Sequence, residues 1–245
     1  MALDKSRDIV LIKKLLVATL VAAGTLGLAG CASVAPQADY ATLDKAGQAR
    51  MTPDSVVASL KDGNKRFVGG NMIKRDLMKQ VKTTGYAQYP MATIVSCIDS
   101  RAGPEIVFDQ GIGDVFSARV AGNFINEDIL GSLEFASKIA GSKVVVVLGH
   151  SSCGAIKGAC DDAVLGNLTG MLAKIKPAVA DVSMAGDRTS KNDAFVQMVA
   201  EANVKRTVND IVTKSPVLRE MQQKGEIKIV GAMLDVKTGV VTWYL

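Results

Sequence analysis

Val144-Val145-Val146-Val147-Leu148 is an unbroken run of apolar, mostly β-branched residues. A run that short offers no polar edge to water. It fits a strand covered on both faces, and such strands lie in sheets with helices packed above and below. The flanking segments agree. Met91–Ser96 and Val115–Val120 read as further strands, with a helical turn at Pro104–Phe108 between them. Glu127–Ala140 places Ile129, Leu130, Leu133, Phe135, Ala136 and Ile139 on a helical period, and Cys153–Val164, Leu168–Val182 and Asp193–Thr213 read as helices. Ser215-Pro216 opens another helix that Gly225 closes. Ile227–Asp235 and Val240–Tyr244 are strands joined by a tight turn at Lys237-Thr238-Gly239. Strand alternates with helix throughout. The expected fold is therefore α/β, a mainly parallel sheet flanked by helices in a single domain, with an antiparallel edge hairpin at the C-terminus.

The helical part of this domain is expected to open at Thr52-Pro53-Asp54, which supplies a capping hydroxyl, a first-turn proline and an acid at the positive end of the dipole. Val56, Val57, Leu60 and Phe67 continue the period, with Gly63-Asn64 a weak point inside it, and residues 71–89 read as a polar, irregular arm. Upstream, Met1–Lys14 carries Lys5, Arg7, Lys13 and Lys14, and Leu15–Gly30 is uncharged and apolar. That stretch falls short of the about 20 residues a membrane span needs. A basic start, a short apolar stretch and small residues before a break describe a secretory signal. The break, Leu28-Ala29-Gly30-Cys31, resembles the lipobox of bacterial lipoproteins. The expectation is a signal peptide over 1–30, lipidation of Cys31, a tether over 31–51 and the domain over 52–245. The protein would then be exported and lipid-anchored in the cell envelope, facing the periplasm. An ordinary cleaved signal or an uncleaved anchor remains open on the same residues.

Composition narrows the chemistry. A hydrophobic content of 48% excludes a disordered chain. A net charge of +5 is too mild to argue for a nucleic-acid partner, and four cysteines do not make a disulfide scaffold. The chain holds one histidine. In sheets of this kind ligands bind outside the carboxyl ends of the strands, and two expected strands end in metal-ligand chemistry. One runs into Cys97-Ile98-Asp99-Ser100-Arg101, where Cys97, Asp99 and Arg101 project together if the backbone stays extended. The other runs into Gly149-His150-Ser151-Ser152-Cys153-Gly154, where a tight turn brings His150 and Cys153 onto one ion. Two thiolates and an imidazole are ligands that zinc favours, and three of them leave a fourth position for water. Asp99 then has two jobs open to it: to close the site as fourth ligand, or to accept a hydrogen bond from the water. Arg101 would decide between them by holding the carboxylate in a two-point pair.

Cys97-Ile98-Asp99-Ser100-Arg101 followed by His150-Ser151-Ser152-Cys153-Gly154, with Gly154-Ala155-Ile156-Lys157-Gly158 downstream, resembles the β-class carbonic anhydrases. The likeness runs from about Ser55 to Tyr244. It implies zinc on Cys97, His150 and Cys153, Asp99 and Arg101 as a catalytic dyad beside it, and a homodimer or higher homo-oligomer. It also implies reversible hydration of CO2 to bicarbonate and a proton by zinc-bound hydroxide. Gln110 falls near the family's substrate-orienting glutamine. Two residues depart from the pattern: Phe135 stands where many members have tyrosine, and Val120 follows Arg119 where many have asparagine. Other readings of the same site are hydrolysis of carbon disulfide or carbonyl sulfide, or a non-catalytic zinc-binding envelope lipoprotein.

Overall fold

Alternation of side chains along a strand sorts the core into two layers. The computed structural model describes residues 41–244. In it Val144–His150 (β3) is buried at every position and lies between Ala92–Ser96 (β1) and Lys228–Leu234 (β4), parallel to both. Val115–Arg119 (β2) adds a parallel edge beyond β1, and Val241–Tyr244 (β5) an antiparallel edge beyond β4. The sheet order is β2-β1-β3-β4-β5. Val145 and Val147 face one layer together with Val95, Ile229 and Met233. Val144, Val146 and Leu148 face the other with Ile94, Val230 and Ala232. The apolar run is thus covered on both faces, as its composition requires.

Pro53–Val68 (α2) covers one face and Asp193–Lys214 (α9) the other. In α2, Thr52 and Ser55 cap each other reciprocally, and Val56, Val57 and Leu60 are buried. The helix runs unbroken through Gly63-Asn64. A side chain at Gly63 would place its Cβ 1.8 Å from the Phe108 carbonyl oxygen, so glycine is what allows the close approach. Asn64 is buried: its amide donates to the Val107 and Gly239 carbonyls, and its oxygen accepts from Val241 N–H. Along α9, Phe195, Val196, Val199, Val204 and Ile211 face the core.

Several boundaries differ from the sequence reading, each for a local reason. Inside the expected tether, Lys45–Arg50 (α1) is helical, and its buried Gln48 donates to the Pro90 and Ala140 carbonyls, so ordered chain precedes Thr52. The arm contains a helix, Leu77–Thr84 (α3), capped by Asp76. Pro104–Val107 forms the expected helical turn (α4). Asn126 caps Glu127–Glu134 (α5), whose continuation Phe135–Ile139 is wound as a wider π turn. The helix expected over Cys153–Val164 spans Gly154–Cys160 (α6). The one expected over Leu168–Val182 is two, Gly166–Leu172 (α7) and Lys176–Asp181 (α8), because Pro177 has no N–H to continue a helix and sits in the first turn of the second. Pro216–Gln223 (α10) leads into β4. Among the described residues no helix is long and apolar enough to cross a membrane. The signal peptide and Cys31 lie outside the described residues.

Candidate metal centre

Strands β1 and β3 are parallel neighbours with Ser96 paired to Leu148, so both end at the same edge of the sheet. Cys97 is the first residue past β1 and His150 the last of β3. Cys153 follows three residues later as the N-cap of α6, after a turn in which Ser152 adopts the left-handed region (φ 55°). The outcome is convergence. The ligand atoms of Cys97, His150 and Cys153 lie within 4.8 Å of one another, and all three residues are buried. The two sulfurs are 3.9 Å apart.

This donor set fits a metal ion. The Nδ1 of His150 lies 2.9 Å from the Ser151 carbonyl and donates to it, which leaves Nε2 with a lone pair. That Nε2 is buried and lacks a hydrogen-bond partner, a costly state for an isolated polar atom and the expected one for a metal ligand. Without a cation the two thiols share their protons unequally. A hydrogen bond from Cys153 pulls the Cys97 thiol down to about 4, against the opposing effect of burial. The same contact, together with burial, pushes Cys153 up. Burial disfavours a charged His150, yet the Cys97 thiolate outweighs it and raises the imidazole pKa. Two negative sulfurs and an imidazole around one point are complementary to a soft or borderline divalent cation.

Asp99 and Arg101 stand beside the cluster. The Arg101 guanidinium donates to Asp99 Oδ1 at 2.9 Å and Oδ2 at 2.8 Å, and its backbone N–H donates to Oδ1 as well. This fork holds the Asp99 carboxyl well below the usual carboxylate range, against partial burial. Asp99 Oδ2 sits 3.8 Å from His150 Nε2, so the carboxylate faces the metal position while remaining engaged with arginine.

Residues that local spacing does not reveal hold this loop. Arg119, at the end of β2, donates to the carbonyls of Cys97 (3.0 Å) and Asp99 (2.7 Å). Gly122 donates its N–H to Cys97 Sγ at 3.4 Å, and its carbonyl accepts from the buried Asn203 of α9 at 2.7 Å. Gly122 has φ 81°, and a Cβ there would come 2.4 Å from Ile175 Cδ1. Gln110 lies away from these contacts: its amide donates to the Phe108 carbonyl and borders Gly63 of α2. Phe135 is 54% exposed with its ring edge-on to Phe116, and Val120 packs against the core layer that contains Cys97 and Cys153. Cys160 is a buried free thiol in that layer.

Comparison with known proteins agrees with this geometry. Residues 92–241 match the family model described as "Carbonic anhydrase". Carbonic anhydrase 2 of Mycobacterium tuberculosis is 35% identical over 192 residues, covering 76% of this chain and 90% of the relative. Among solved structures, the β-carbonic anhydrase CcaA aligns with a TM-score of 0.63 at 22% identity, covering 78% of this chain and 88% of the other. The β-carbonic anhydrase CafA of Aspergillus fumigatus aligns at 0.58 with 26% identity, covering 78% and 89%.

Proposed function

This chain belongs to the β-class carbonic anhydrase family, and on that premise we propose that Cys97, His150 and Cys153 hold its zinc while Asp99, fixed by Arg101, orients the reacting water. The activity is the reversible hydration of CO2 to bicarbonate and a proton, with zinc as the cofactor. When bound, zinc supplies a Lewis acid that draws the pKa of a water in its open position down toward about 7, less strongly beside two thiolates than beside three imidazoles.

The observation that carries the reading is the division of labour at the strand ends. Three buried donors converge, whereas Asp99 is spent on Arg101 and stays out of the ligand group. An ionised carboxylate is an acceptor only. Held in the arginine fork next to the metal position, it can take a hydrogen bond from a water or hydroxide and so aim a lone pair outward. Its low pKa keeps it in that state across the physiological range. Arg119 keeps the Cys97–Asp99 backbone in place meanwhile, and Gly122 N–H holds the Cys97 sulfur. The single histidine is consumed as a ligand, so release of the product proton falls to solvent and buffer.

The family setting also supports a homodimer. Strand β2 is a sheet edge, and Ile98, Ile106, Phe135 and Ile139 around it are 54–74% exposed. A groove of about 720 Å³ between β2 and α5, lined by Phe116, Glu127 and Phe135 among others, would be filled from a second copy. Export and lipidation at Cys31 are proposed from the sequence of the first 31 residues. Mass spectrometry of the protein from a bacterial membrane fraction checks them, and an unmodified N-terminus at Met1 refutes them. The metal reading is tested with Cys97→Ser. The variant is expected to purify without zinc and without CO2 hydration; a folded variant with full activity overturns it.

A further inference from the structure

His150 sits on the sheet, but its ring is oriented from outside β3. The carbonyl that accepts from Nδ1 belongs to the next residue, Ser151. Where that carbonyl points depends on the peptide between Ser151 and Ser152. Ser152 is in the left-handed region, which a serine does not favour on its own. Something else must set the peptide.

The β4–β5 turn does so. The ladder between β3 and β4 ends with His150 opposite Leu234, and Ser151 N–H extends it by one bond to the Leu234 carbonyl at 2.9 Å. The Ser151 hydroxyl then accepts from Val236 N–H at 3.1 Å and points its own proton to Asp235 Oδ1 at 3.4 Å. Asp235 is itself fixed, accepting from Lys237 N–H at 2.8 Å and from the Thr238 hydroxyl at 3.1 Å. Ser151 is thus gripped on its N–H and its side chain by the hairpin, and its remaining polar group, the carbonyl, faces the imidazole.

We infer that Ser151, held by Leu234, Asp235 and Val236 of the C-terminal hairpin, is a positioning residue that fixes the His150 ring with Nδ1–H on its own carbonyl and Nε2 free for the metal. The inference rests on the zinc reading of Cys97, His150 and Cys153. Its physical basis is general: a ligating imidazole whose other nitrogen is held by a fixed acceptor has one tautomer and one orientation, and loss of such support typically lowers metal affinity about 10–100-fold. Removing the Ser151 hydroxyl releases the Val236 and Asp235 contacts and leaves only the ladder bond to hold the peptide. Ser151→Ala is therefore expected to weaken zinc binding on the order of 10-fold. Asp235→Ala should act in the same direction, because it removes the contact to the Ser151 hydroxyl together with the bonds from Lys237 N–H and the Thr238 hydroxyl that shape the turn. Ser151→Thr keeps a hydroxyl and should restore wild-type affinity.

The test measures zinc affinity by chelator competition, together with imidazole nitrogen NMR on untagged protein labelled at histidine. His150 is the one histidine in the chain, so the signal needs no assignment. Zinc should shift the wild-type Nε2 resonance and leave a slowly exchanging Nδ1–H, and Ser151→Ala should speed that exchange. Should Ser151→Ala not fold, Asp235→Ala carries the same two readouts. If zinc moves the wild-type signal but the variants match wild type in affinity and Nδ1–H exchange, the hairpin's role is refuted. If zinc leaves the wild-type signal unmoved, the metal reading itself fails and takes this inference with it.

Discussion

Gly122 joins the metal loop to the core, and replacing it tests the packing there. Gly122→Ala meets two separate obstacles. The backbone at φ 81° belongs to glycine, and forcing an L-residue into that region costs roughly 1–2 kcal/mol. The new Cβ would also stand 2.4 Å from Ile175 Cδ1, on a side chain that is fully buried. Such overpacking costs about 1–3 kcal/mol because the ring of neighbours cannot yield freely. The expected destabilisation is about 2–5 kcal/mol in urea unfolding. Trp243, the single tryptophan, reports the transition by fluorescence, with free zinc held constant so that linkage does not differ between variants. The two obstacles separate in a double-mutant cycle. Ile175→Val alone should cost about 1 kcal/mol for its lost methylene. In the Gly122→Ala background that same truncation removes the atom in the way, so it should be neutral or stabilising, a coupling of about 1 kcal/mol or more. The backbone cost should remain. If the two changes add within about 0.5 kcal/mol, the steric reasoning at this loop is wrong.

Asp99→Asn should keep one zinc per chain and still reduce CO2 hydration at least about 10²-fold, the usual scale for a positioned proton-accepting group; stopped-flow rates beside metal analysis decide it, and unchanged rates remove Asp99 from the mechanism. Asp109 is fully buried between Arg66 and Arg75, which clamp the end of α2 and the following arm to the loop after α4. Asp109→Asn removes the carboxylate that pairs with both guanidinium groups and should cost about 3 kcal/mol, measured by urea unfolding at pH 7. Burial pushes the Asp109 pKa up, but the two arginines more than compensate and hold it below the ordinary value. The folded state therefore binds its proton less readily than the unfolded one. The associated stability is present above the unfolded pKa of about 3.9 and is lost as pH falls through the lower folded value. Wild type should accordingly lose stability below about pH 4 more steeply than Asp109→Asn, and parallel acid profiles would contradict the pairing.

The sheet and the convergence of Cys97, His150 and Cys153 were legible because their signals are local. The run Val144–Leu148 has one economical environment, and Cys97, His150 and Cys153 stand at strand ends where side-chain direction follows from the strand. The break at Pro177 and the cap at Asp76 were also written locally, and a single-helix reading of 168–182 and a polar, irregular reading of 71–89 passed over them. Other features have no local signal. Asn203 looks like any polar residue on a helix, and its partner, the Gly122 carbonyl, lies 81 residues away. Gln48 and Asn64 likewise satisfy carbonyls far off in the chain. Gly122 could be seen as a glycine, but its need for φ 81° and for a bare Cα against Ile175 exists only once the helices are packed. Besides Arg101, Arg119 was within reach of sequence reasoning, since it ends a strand on the same edge as Cys97.

X-ray absorption at the zinc K-edge on the folded, reduced protein addresses the metal centre most directly. One zinc per chain is predicted, with two sulfur scatterers at about 2.3 Å and two nitrogen or oxygen scatterers at about 2.0–2.1 Å. The sulfurs would be Cys97 and Cys153, and one of the lighter atoms His150. A shell of four sulfurs, a shell with none, or folded protein that retains no zinc would contradict it.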